Sequence, residues 1–108
     1  MSSIVTDSMR LKQLFNQKMD LSYKIDEIVQ TKSSLLSAGD DLMPVGTDYD
    51  PNSPVMKTLQ ARQQRAKILS QQLEQKEHEY RRQLQAVEAE YNSLDARIND
   101  TISKELKH

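Results

Sequence analysis

The chain has 108 residues, 36% hydrophobic and 29% charged, with one Phe, no Trp and no Cys; that composition suits one folding unit of amphipathic helices rather than a compact globule. Fifteen basic and sixteen acidic residues interleave to a net charge of −1, which removes the electrostatic case for nucleic acid or an anionic membrane surface. Without cysteine there is no disulfide and no thiolate metal site, and apolar runs of only two or three residues leave nothing to insert into a membrane.

The opening MSSIVTDSMRLKQLF lacks the apolar centre of a cleaved leader. Synthesis in the cytoplasm is expected, and export by a route that needs no such leader stays open. A first helix is expected over residues 1–38. Leu11, Leu14, Leu21, Ile25, Ile28 and Leu35 mark a heptad seam in it, flanked by Phe15, Val29 and Leu36. Leu14, Leu21, Ile28 and Leu35 take the d positions, which puts Lys18 and Lys32 at a beside Leu11 and Ile25. Seam lysines either fix register and orientation or snorkel to water along an edge. Asp7 or Thr6 suits the N-cap, and Ala38-Gly39 reads as a C-terminal stop.

Residues 39–53, GDDLMPVGTDYDPNS, form an acidic Gly/Pro loop holding both glycines of the chain. Leu42, Met43, Val45 and Tyr49 suggest that this loop packs on something. Ser53-Pro54 is a strong helix start, with Ser capping and Pro at the first helical position. Residues 54–108 then make one long heptad helix. Its first part is rich in Gln, Arg, Lys and Glu with sparse Leu59, Ala66, Leu69 and Leu73; from Tyr80 onward the seam is dense. Leu59, Ala66, Leu73, Tyr80, Val87, Leu94 and Thr101 form an unbroken series of sevens, which implies supercoiling with a partner helix.

The expected fold is all-α: two long helices in an antiparallel coiled-coil hairpin with an overhanging C-terminal helix. Leu14, Leu21, Ile25, Ile28, Leu35, Leu59, Leu69 and Leu73 form its intramolecular seam. With Ala38 set beside Pro54, Ile4 comes level with Glu88, so residues 89–106 lack a partner within the chain. Tyr80, Leu84, Val87, Tyr91, Leu94, Ile98, Ile102 and Leu106 are then the expected association seam. A bent rod jointed at the acidic loop would fit the same heptads.

Nothing in the chain resembles catalytic machinery, so no enzyme and no cofactor is expected. His78 and His108 are the only histidines and suit surface positions. Asp48-Tyr49-Asp50-Pro51-Asn52 matches the first half of a calcium loop, but Ser53 stands where the sharp turn needs Gly, and Leu59 where a bidentate Glu belongs. Turn chemistry explains the same residues; adding Asp40 and Asp41 would give only an irregular hard-cation site. The glycosylation spelling Asn99-Asp100-Thr101 falls inside the heptad helix. Arg62, Arg65, Lys67, Arg81 and Arg82 are interrupted by glutamates and read as a solvated face.

Pro51-Asn52-Ser53-Pro54 and the ending Leu94-Asp95-Ala96-Arg97-Ile98 resemble elements of the needle and filament subunits of type III secretion systems. Those are small helical hairpins with a Pro-x-x-Pro turn and an apolar C-terminal helix. The resemblance implies subunits that stack helically through their C-terminal helices. The dense heptad seam makes the expected function that of a structural, self-assembling coiled-coil protein with a homo-oligomer as its partner, and the resemblance extends this to a secretion-system filament subunit. The alternative is a small helical chaperone or adaptor that binds an amphipathic helix of another protein.

Overall fold

The computed structural model describes residues 4–41 and 50–107, with the backbone alone for 39–41. Among the described residues the structure is all-helical: α1 spans Ile4–Asp41 and α2 spans Pro54–Leu106. Neither helix carries a proline beyond the first position of α2, so nothing interrupts the backbone hydrogen-bond ladder.

The start of α2 follows from local chemistry. Ser53 Oγ accepts the Met56 N–H at 3.2 Å and the Ser53 carbonyl accepts the Lys57 N–H at 3.0 Å. The side chain thus satisfies one of the donors that a helix start leaves unpaired. Just upstream, Asp50 Oδ1 accepts the Asn52 N–H at 3.0 Å, and its carbonyl accepts the Ser53 N–H at 2.9 Å. Asp50 therefore builds the turn that delivers Ser53. The C-terminal stop of α1 is less sharp than expected. The helix runs past Ala38-Gly39 to Asp41, accommodating a glycine that costs about 1 kcal/mol relative to alanine in a helix interior.

The single folding unit expected from length resolves into two compact units, one of Met1–Ile25 with Glu79–His108, the other of Asp26–His78. In the first, Leu14 is fully buried, with Leu21, Ile25, Leu94 and Ile98 also buried. Leu14, Leu94 and Ile98 form its core, and Leu11, Val87 and Tyr91 pack against them. Burial of one such leucine contributes roughly 1.5–3 kcal/mol. In the second unit Ile28 is buried, and Leu35, Leu59, Ala66 and Leu73 are half-buried.

This arrangement corrects the expected overhang. Ile4 was to lie level with Glu88; instead Asp7 pairs with Arg97, and Leu94 and Ile98 pack on Leu14. The expected register sets Ala38 beside Pro54 across the loop of residues 39–53. The observed one sets the apolar stretch Leu11–Ile25 against the apolar stretch of α2, which removes more apolar surface from water. Of the residues assigned to the overhang, Ile102 and Leu106 stay exposed, at 41% and 82%. Leu69, expected in the intramolecular seam, is also exposed, at 45%.

Candidate association surfaces

Covered positions on both helices recur at alternating steps of three and four. On α2 the series runs Met56, Leu59, Gln63, Ala66, Ser70, Leu73 and Glu77, then Tyr80, Leu84, Val87, Tyr91, Leu94, Ile98 and Thr101. The step of four from Ala66 lands on Ser70, which leaves Leu69 outside. Counting from the same series of sevens also picks out Gln63 and Glu77, covered residues whose polarity hid them from an apolar count. On α1 the series is Ile4, Asp7, Leu11, Leu14, Lys18, Leu21 and Ile25, then Ile28, Lys32 and Leu35.

Charged pairs border the seam of the first unit. Arg97 Nε and Nη2 donate to Asp7 Oδ2 and Oδ1 at 3.1 and 2.8 Å, and Asp7 is buried, at 7% exposure. The Asp7 side chain sits in the first turn of α1 rather than capping it, and no apolar spacing marks such a buried carboxylate. Arg10 Nε and Nη2 donate to Glu90 Oε1 and Oε2 at 3.0 and 3.1 Å, a second two-toothed contact. Both have the planar fork geometry that makes arginine–carboxylate pairs directional.

The two seam lysines have different surroundings. Lys18 reaches outward, with Nζ 4.0 Å from Glu88 and 5.8 Å from the centre of the Tyr91 ring. Its stem covers apolar surface while its charge stays near water. In the second unit Lys32 Nζ instead donates to Glu77 Oε1 at 3.1 Å, with side chains only 24% and 12% exposed. That pair occupies seam positions on both helices, where a polar contact favours one register over its neighbours. Lys24 lies over the Tyr80 ring, 5.7 Å from its centre. Its hydrogen bond to Asp20 holds its pKa above the ordinary lysine value.

Open grooves lie along the seam in each unit. In the first unit a groove of about 400 Å³ is lined by Leu21, Lys24, Gln83, Ala86 and Val87 among others. In the second a groove of about 260 Å³ opens over Leu35, Leu36, Ala66 and Ser70, where small residues on α2 leave space. Apolar side chains also emerge away from the seam. Val5, Met9, Phe15, Met19 and Tyr23 of α1 are between 48% and 68% exposed.

The other candidate residues are placed as follows among the described residues. Among the described residues no group of three His, Asp or Glu side chains is placed to hold a metal ion. Of the calcium-like stretch, Asp48 and Tyr49 lie outside the described residues, as do the side chains of Asp40 and Asp41. Asp50 spends one carboxylate oxygen on its turn. His78 is exposed on α2, and His108 is outside the described residues. Thr101 donates its hydroxyl to the Arg97 carbonyl at 2.9 Å, as a helical threonine does. No described helix is long and apolar enough to cross a membrane.

No protein-family model matches this chain, and no curated protein or solved structure is significantly similar to it.

Proposed function

We propose that this is a structural protein: an antiparallel coiled-coil hairpin that assembles with copies of itself. The order of its charged contacts supports the hairpin. Within the first unit Asp7, Arg10 and Lys18 meet Arg97, Glu90 and Glu88 in turn, so partners on α2 fall as positions on α1 rise. The alternating steps of three and four on both helices support coiled-coil packing.

The observation that carries self-assembly is the apolar surface left over after the seam is filled. Val5, Met9, Phe15, Met19 and Tyr23 on α1, and Ile102 and Leu106 on α2, remain exposed on helices whose other outward residues are mostly polar. Large apolar side chains exposed in such numbers mark association sites. The Pro51-x-x-Pro54 element and the Leu94–Ile98 ending extend the proposal to a subunit of a type III secretion needle or filament. In that reading the stacking contacts fall on Ile102 and Leu106, because Leu94 and Ile98 are engaged with Leu14.

A second reading, a small chaperone or adaptor, draws on the groove over Leu35, Leu36 and Ala66, which would receive an amphipathic helix of another protein. Light scattering of the purified protein over a concentration series, with electron microscopy of the heaviest fraction, separates the two. Self-assembly predicts a mass that grows with concentration. A monomer at every concentration would refute it and favour the adaptor.

A further inference from the structure

The exposed residues of α1 carry a second heptad of their own. Val5, Met9, Lys12, Asn16, Met19 and Tyr23 follow one another at steps of four, three, four, three and four. All of them are exposed and all belong to one compact unit, so they form one stripe on the side of α1 turned from its seam. Phe15, 48% exposed, stands beside the middle of this stripe.

The spacing of the stripe is symmetric about its centre, with Met9 and Met19 as its chemically matched pair. About the level of Leu14, Val5 mirrors Tyr23, Met9 mirrors Met19, and Lys12 mirrors Asn16. A two-fold dimer contact brings one surface against itself, so residue i meets j wherever j meets i. Two antiparallel copies centred at Leu14 would set each Met9 against the other copy's Met19 and each Val5 against its Tyr23. The two Phe15 rings would come together near the axis.

Charge selects the same arrangement. Antiparallel, Lys12 faces Asn16, whose side-chain carbonyl accepts from the ammonium. Aligned in parallel, Lys12 would face Lys12, and like charges directly opposed destabilise a helix pair. A polar pair inside an apolar stripe is also the device that fixes register and orientation in coiled coils. At roughly 100 Å² per apolar side chain the stripe together with Phe15 offers about 500 Å² per copy, or about 1,000 Å² for the pair, which reaches the lower limit for a specific interface.

We infer that a second copy of this chain docks antiparallel on the outer face of α1, through Val5, Met9, Phe15, Met19 and Tyr23. The inference rests on the self-association proposed above and names its first contact, distinct from any contact made by Ile102 and Leu106.

A charge swap in the full chain tests it, read by sedimentation equilibrium with circular dichroism as a check on helicity. Both positions are exposed, so M9E and M19K should stay helical. Each should weaken the dimer at least tenfold. The double variant M9E/M19K places each new glutamate against the other copy's new lysine and should restore dimerisation. Recovery in the double variant is the expected result. Failure to recover overturns the antiparallel pairing, since parallel copies would set Glu against Glu and Lys against Lys. If the unaltered chain associates and both single variants keep its mass, this surface is wrong while self-association stands. An unaltered chain that is monomeric throughout overturns both. Should either single variant lose helicity, M9Q and M19Q give the same reading with a smaller expected loss of affinity.

Discussion

In the unit of Met1–Ile25 with Glu79–His108, the covered positions hold mainly Leu, Ile, Val and Tyr around a fully buried Leu14. In the unit of Asp26–His78 four of the seam positions are polar, Lys32, Gln63, Ser70 and Glu77, beside Leu35, Leu59, Ala66 and Leu73, and among its described residues Ile28 is the one buried apolar side chain. One heptad thus runs through two different seam chemistries. Periodicity decides which side chains face inward; their composition decides how much free energy that placement contributes. A seam with few buried apolar contacts belongs to the low-stability end of a structure, where helices open locally. The polar unit should therefore exchange its amide hydrogens faster than the apolar one.

The largest test of that contrast is truncation at matched positions. Leu14→Ala should cost about 3–5 kcal/mol, since the side chain is fully buried. Leu73→Ala, at a half-buried position, should cost about 1 kcal/mol. Urea unfolding followed by circular dichroism gives both numbers, and equal costs would erase the distinction between the units.

Next comes the buried carboxylate. Arg97→Ala leaves Asp7 covered without its guanidinium, at an expected cost of about 1–3 kcal/mol. Hydrogen exchange should show the loss concentrated in the first turns of α1. Protection left unchanged there would mean the pair contributes nothing measurable.

The Lys32–Glu77 pair sharpens the comparison from the other side. Lys32→Leu alone takes the ammonium away from the covered Glu77 carboxylate and should destabilise by about 1 kcal/mol. The double change Lys32→Leu/Glu77→Leu should equal or exceed the unaltered chain in stability, because apolar replacements often outperform a desolvated ion pair. If the double variant is less stable than the unaltered chain, the pair contributes net stability rather than register alone.

Ser53→Ala removes the cap from α2 and should cost about 1 kcal/mol, seen as extra fraying of the first turn by NMR; intact protection at Met56 would count against the cap. The smallest effect concerns pH. Because Asp20 raises the Lys24 pKa in the folded chain, the contribution is complete below the ordinary lysine value and fades as pH climbs through the raised one. Lys24 is exposed to solvent screening, so the decline should be slight. Lys24→Met should flatten it; an identical alkaline decline in that variant would assign the effect to another group.

Much of this structure was legible in one dimension. The absence of proline after Pro54, the series of sevens from Leu59 to Thr101 and the Ser53-Pro54 start together specify α2, because helix geometry and capping are local physics. The same holds for Leu14, Leu21, Ile25 and Ile28, whose apolar spacing places them at covered positions on α1. The outer stripe was equally present in the spelling of the chain, yet its Lys12 and Asn16 broke the apolar run that a count of hydrophobic residues follows.

Register was another matter. The sequence by itself determined that there are two helices, where the second begins and which face of each carries the seam. Which turn of one meets which turn of the other was decided only in three dimensions. Heptads repeat every seven residues, so several offsets match the pattern almost equally well. The choice falls to contacts between residues far apart in the chain, Asp7 with Arg97 and Leu14 with Leu94. Their burial and charge pairing exist only once the helices are side by side.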